Sequence, residues 1–173
     1  MKGMVFTEFI EFVEDNFGFE TSDYIITESN LKSNGVYTSV GTYDFHEMVS
    51  LLINLEKKTE IPINQLLETF GSHLFFRFVA LFPQFIDKEK SFYDFVSEID
   101  NYIHIEVKKL YPDAELPRLI ILEKNDNKML VAYTSHRKLS MFAYGLFKSA
   151  AEFFKEDVSI SMENINKEGS VVH

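Results

Sequence analysis

The sequence predicts an α+β fold, with helices first and strands afterwards. Two observations carry that prediction. Up to Val107 the apolar residues recur three or four apart in four amphipathic stripes, whereas after Pro117 they fall in short runs around a polar connection. A chain of 173 residues can bury about 70% of its unfolded surface, so one domain without disulfide or structural metal is expected.

Phe6, Phe9, Ile10, Val13 and Phe17 define the first helix, from Val5 to Phe17, ending near Gly18. Val36 to Val40 follows the turn signal Asn34-Gly35 and has no stripe, so a loop is expected. Phe45, Met48, Val49, Leu52 and Ile53 form the second stripe, with Glu56 and Lys57 on its polar face. Ile61-Pro62 opens the third helix, because proline suits a first helical turn. Leu66, Phe70, Leu74 and Phe78 carry it to Pro83. A charged loop at Asp87 to Lys90 precedes the fourth stripe, Phe92, Val96, Ile99, Ile103 and Val107, which ends before Tyr111-Pro112-Asp113. Leu119 to Leu122 and Met129 to Tyr133 flank Lys124-Asn125-Asp126-Asn127, the composition of a hairpin. Ala143, Leu146, Phe147, Ala150 and Phe154 restore a helix, and Val158, Ile160 and Met162 alternate as in a strand. No repeat or Gly/Ser-rich linker is present, so a boundary near Tyr43 or Pro83 would separate packed subdomains.

Composition removes whole classes of function. Seventeen basic against 27 acidic side chains give a net charge of −10, which opposes both nucleic acid and an anionic membrane surface. With no cysteine there is no thiolate nucleophile, cysteine zinc site or iron–sulfur cluster. No apolar run reaches the roughly 18 residues of a membrane span, and Glu8, Glu11, Glu14 and Asp15 interrupt any signal-peptide core. A cytoplasmic protein is expected. There is no GxSxG, P-loop, GxGxxG or HExxH pattern, and most carboxylates lie on polar helix faces. Eighteen phenylalanines and 8 tyrosines without tryptophan point to an interior lined with rings.

Of the five histidines, the terminal His173, the helix-opening His46 and His136 among charged neighbours are expected to be exposed. His73 shares a face with Leu66 and Phe70, and His104 flanks the Val96/Ile103 stripe beside Val107. Such histidines are more often hydrogen-bonded core residues than ligands, and periodicity does not choose between these two. In Tyr133-Thr134-Ser135-His136-Arg137, an extended chain would project Tyr133, Ser135 and Arg137 to one side. Two hydroxyls and a guanidinium fork suit a pair of carboxylates. A polar strand face with one surface arginine is the plain alternative.

The chain resembles the haem nitric oxide/oxygen binding, or H-NOX, family. The resemblance rests on the opening Met1-Lys2-Gly3, on Ile103-His104 through Leu110-Tyr111-Pro112-Asp113-Ala114 with Pro117, and on Tyr133-x-Ser135-x-Arg137, 29 positions after His104. It spans essentially the whole chain and implies a helical part of about residues 1–60 packed on an α/β part of about 61–173, with haem b (iron protoporphyrin IX) buried between them. By that resemblance His104 is the axial ligand of the iron, Tyr133, Ser135 and Arg137 hold the propionates, and Pro117 presses on the macrocycle. The distal side is formed by Val5, Phe9, Leu74, Phe78, Phe142 and Leu146. In relatives that bind oxygen stably, a tyrosine stands where this chain has Phe142. Tyr144 lies roughly 200° further round a helix and is not expected to replace it. The cysteine-rich zinc site of some bacterial relatives is absent. The chain stops at His173, in what resembles the approach to a final strand, so an incomplete sheet is expected. The implied function is that of a bacterial stand-alone sensor of NO, also binding CO, which signals to a separate histidine kinase or cyclic-di-GMP enzyme. Two other classes remain open: a peroxidase-like haem enzyme, against which the distal set offers no histidine or arginine, and a binder of haem or another hydrophobic ligand.

Overall fold

Residues 1–165 and 171–172 are described by a computed structural model. Seven α-helices are described: α1 (Gly3–Phe17), α2 (Phe19–Glu28), α3 (Phe45–Thr59), α4 (Ile63–Leu81), α5 (Phe92–Glu98), α6 (His104–Leu110) and α7 (Ser140–Phe153). They accompany a three-stranded sheet of β1 (Arg118–Lys124), β2 (Met129–Thr134) and β3 (Val171–Val172). Its order is β1-β2-β3, antiparallel throughout, with Leu119 opposite Tyr133 and a bulge between Ile121 and Glu123. The α+β expectation therefore holds, and so does the hairpin.

Gly18 explains how the first two helices join. Its φ of 83° ends α1, and the same residue is the N-cap of α2. The sequence reading did not find α2. Its ten residues bury only Thr21, Ser22 and Ile25, so there is no apolar stripe to detect. α3 starts at Asp44, whose side chain accepts from the His46 backbone N–H at 3.0 Å. The buried face of α3 is Met48, Leu51, Leu52 and Leu55, while Ile53 turns outward. The expected stripe was rotated by about one residue.

Two expectations are corrected. Phe92 to Val107 is not one regular helix. α5 ends at Glu98, a π turn spans Ile99–Ile103, and α6 begins at His104. Spacings of three and four survive such an extra residue, so the pattern could not reveal it. Val158 to Met162 is not a strand. Val158 and Ile160 do point inward and pack against the second core, but the segment pairs with no strand among the described residues, and β3 meets β2 only at Tyr133 and Thr134. Alternation reports which side is buried, not pairing. Val36 to Val40 is a loop as expected, and His173 lies outside the described residues.

The core has two parts. The first joins α1 to α4 and includes Phe6, Phe9, Phe12, Leu51, Leu66 and Phe70. The second joins α5, α7 and the sheet around Phe75, Phe92, Phe95 and Ala150. Leu146 packs against both. α4 and α7 hold them together by approaching backbone to backbone. A Cβ at Gly71 would lie 2.2 Å from the Phe142 carbonyl oxygen, and one at Gly145 would lie 2.0 Å from that of Glu68. Ser72 Oγ also donates to the Gly145 carbonyl at 3.2 Å.

His73 departs from the hydrogen-bonded core histidine that its position suggested. Its ring packs 5.5 Å from Phe12, but its buried Nε2 has no hydrogen-bond partner among the described residues. One turn further along α4, Arg77 grips Glu8 of α1 with two nitrogens.

Gly145→Ala is expected to destabilise the fold, because backbone rather than a flexible side chain must move. Overpacking of this kind costs about 1–3 kcal/mol, or roughly 2–12 °C in melting temperature for a chain of this size. Thermal unfolding followed by circular dichroism measures it.

Candidate functional site

His104 occupies the first position after the π turn, where the helix has gained one residue. Its Nδ1–H donates to Asp100 Oδ1 at 3.1 Å, and the same oxygen lies 3.5 Å from the Leu119 backbone N–H at the start of β1. Burial holds the imidazole pKa below its ordinary value, against the raising effect of Asp100, so the ring is neutral near pH 7. Nε2 makes no hydrogen bond among the described residues. An imidazole fixed at one nitrogen by a carboxylate, with the other nitrogen bare, is the arrangement of a metal-ligating histidine. No three His, Cys, Asp or Glu side chains converge on a common point among the described residues.

The Tyr133-x-Ser135-x-Arg137 motif straddles the end of a strand. β2 stops at Thr134, and a turn follows that closes at Lys138, with φ 54°. Strand alternation therefore does not bring the three residues together, which corrects the extended reading; the turn does. The Arg137 N–H donates to Ser135 Oγ at 3.2 Å. Tyr133 is buried. Burial pushes its phenol pKa up, and the Ser135 hydroxyl and the Arg137 charge ease it down, so it is a neutral donor. Arg137 gives Nη1 to the Glu115 carbonyl at 2.7 Å and Nη2 to the Glu115 carboxylate at 2.6 Å. Its Nε is buried with no partner among the described residues. A cavity of about 370 Å³ opens here, lined among others by Tyr43, His46, Glu115, His136 and Arg137. His46 and His136 are themselves exposed. Pro117 is half-buried between Glu115 and β1.

Val5, Phe9, Leu74, Phe78, Phe142 and Leu146 come together in the first core. Phe70 sits at the centre of its rings, 5.0 Å from Phe9 and 5.4 Å from Phe142. None of the six carries a polar side-chain atom. Tyr144 faces away, into a separate cavity of about 560 Å³ that Ala143 and Phe147 also line.

These three groups are joined at defined places. Asp100 ties His104 to Leu119, Leu119 pairs with Tyr133, and Leu146 bridges the first core to the core against which Ile99 and Ile103 pack. Sequence reasoning missed Asp100 and Glu115. The signal for Asp100 was its place four residues before His104, on the same helical face. For Glu115 there was none, because its role depends on where a turn places Arg137.

Known proteins resemble this chain over nearly its whole length. The family model described as Haem-NO-binding matches residues 2–162. The Fe(II) unliganded H-NOX protein from K. algicida is 43% identical, with a TM-score of 0.95, covering 99% of this chain and 93% of that one. The IWP-051-bound H-NOX from Shewanella woodyi in the Fe(II)CO ligation state is 40% identical, with a TM-score of 0.84 and coverage of 99% and 92%. The H-NOX protein from S. oneidensis in the Fe(II)NO ligation state is 26% identical, with a TM-score of 0.87 and coverage of 99% and 96%. No curated protein matches the chain.

Proposed function

The chain belongs to the haem-NO-binding family, and from that premise we propose that it is a sensor of NO that binds oxygen poorly and signals to a separate protein. The observation that carries this reading is the His104 imidazole, fixed by Asp100 at Nδ1 and with no hydrogen bond at Nε2 among the described residues. The residues fit haem. His104 would hold the iron, and Tyr133, Ser135 and the partner-free Nε of Arg137 would hold the propionates. Pro117 would press on the macrocycle from the proximal side. Ferrous haem held by His104 would supply an iron atom able to take up NO.

Everything else is work for the chain's own residues. The six distal side chains exclude water and offer no donor to a polarised ligand. They also offer no acid or base for peroxide chemistry, which favours a sensor over an enzyme. No residue of α6 is fully buried, and Ile105 and Leu110 are half exposed, so its displacement exposes limited new apolar surface. We take the helical part to be residues 1–60 and the α/β part 61–173, with the proximal event altering how they pack. CO is a second gaseous ligand in this reading, and the partner is a histidine kinase or a cyclic-di-GMP enzyme. No described helix is long and apolar enough to cross a membrane, and we place the protein in the cytoplasm.

Substituting the axial residue tests the reading directly. His104→Gly is expected to abolish five-coordinate ferrous haem and to recover it with free imidazole, whereas His73→Gly leaves the spectrum intact. An unaltered absorption spectrum in His104→Gly overturns the assignment.

Charge-assisted hydrogen bonds contribute about 1.5–3 kcal/mol and neutral ones about 0.5–1.5 kcal/mol. Arg137→Ala is thus expected to release haem to apomyoglobin faster than Ser135→Ala. Equal release from wild type and Arg137→Ala contradicts the clamp.

Wild-type ferrous protein in air is expected to show no stable oxygen complex. A missing donor of this strength corresponds to about a tenfold loss of affinity, since each 1.4 kcal/mol is a factor of ten. Phe142→Tyr is expected to slow oxygen release in stopped-flow measurements. A stable oxygen complex of the wild type defeats the selectivity argument.

A further inference from the structure

Asp100 is well placed to do more than decorate a helix. Its carboxylate makes no ion pair with any lysine or arginine among the described residues. Instead, one oxygen takes the His104 Nδ1–H at 3.1 Å and lies 3.5 Å from the Leu119 N–H. The two side chains are 16% and 25% exposed. Exposed pairs four residues apart on a helix contribute almost nothing, but this pair is largely shielded from water and meets a strand as well as a helix. Leu119 is opposite Tyr133 in the sheet, and Tyr133 lies beside Ser135 and Arg137.

We propose that Asp100 is the positioning residue of the axial imidazole, and that it links the state of the bond between His104 and iron to strand β1. The proposal rests on His104 being the axial ligand. By accepting the Nδ1 proton, the carboxylate fixes the tautomer that presents the Nε2 lone pair, and it makes that nitrogen a stronger donor. Asp100 therefore opposes release of the imidazole. Because Oδ1 is shared, any movement of the ring away from the iron pulls on the oxygen that also meets the first residues of β1. The strand opposite carries Tyr133, so the route runs from the axial ligand to the propionate clamp in three steps: Asp100, Leu119 and Tyr133.

Resonance Raman spectra of the ferrous holoprotein read this out without any assay of signalling. The iron–histidine stretching frequency is expected to fall in the order wild type, Asp100→Asn, Asp100→Ala, since the amide still accepts a hydrogen bond but carries no charge. On addition of NO, the ratio of histidine-bound to histidine-released adduct, read from the Soret band, is expected to fall about tenfold, the lower end of the effect of removing such an outer partner. Hydrogen exchange at the Leu119 amide should quicken on NO binding in the wild type and no longer respond in Asp100→Ala. Asp100→Asn keeps the side-chain shape, so the frequency test stands if the alanine variant does not fold. An unchanged frequency in Asp100→Asn, or weaker haem retention with the frequency unmoved, overturns the proposal by reducing Asp100 to a packing role. His104→Gly in the same series separates the two failures. If it retains the iron–histidine band, the axial assignment has failed; if it loses the band while the Asp100 variants keep theirs unshifted, only the positioning role has failed.

Discussion

The contact between α4 and α7 is the constraint on which the rest of the molecule hangs. Two helix backbones approach so closely that neither Gly71 nor Gly145 has room for a Cβ. Helix axes normally stand apart by the size of their side chains, and glycine removes that spacer. The consequence is positional. Leu74 and Phe78 on α4 and Phe142 and Leu146 on α7 reach the first core together, and the face of α7 that carries Tyr144 is turned toward a different cavity. The apolar character of this cluster thus follows from which face of α7 the glycines press inward.

A rigid wall on one side is matched by a lightly held element on the other. α6 has no buried residue, and Ile105 and Leu110 are half exposed. It is attached through the π turn, whose Ile103 is partly buried and whose Asp100 carboxylate meets His104. Local stability follows buried apolar contact, so the two walls of the site differ in how readily they move. That asymmetry is what a sensor needs: one surface that defines the ligand, and one whose displacement can be read.

Much of this was legible in the sequence, for reasons that particular residues make plain. Strong stripes such as Leu66, Phe70, Leu74 and Phe78 report a buried helix face directly, and the polar run at Lys124 to Asn127 reports a hairpin. α2 was not legible because its contact with the core is made by Thr21, Ser22 and one isoleucine. Val158 to Ile160 misled because inward alternation is common to paired and unpaired extended chain. Within the site, His104 and the Tyr133-x-Ser135-x-Arg137 motif were singled out through a family resemblance. Asp100 was passed over although its spacing of four to His104 was there to read, whereas Glu115 meets Arg137 only because a turn and a loop bring them together. No one-dimensional pattern encodes that second contact.

The π turn before His104 carries a further implication, about descent. In a regular α-helix each residue advances about 100° around the axis, so one residue more or less turns everything that follows by that amount. The extra residue in Ile99–Ile103 therefore acts as a phase shift. A helix lacking it would present the same imidazole about a quarter turn away, and a neighbour of His104 would stand in its place. Regular helix and π turn differ by a single inserted residue, a step that turns His104 and every helical residue after it while leaving the rest of the sequence unchanged.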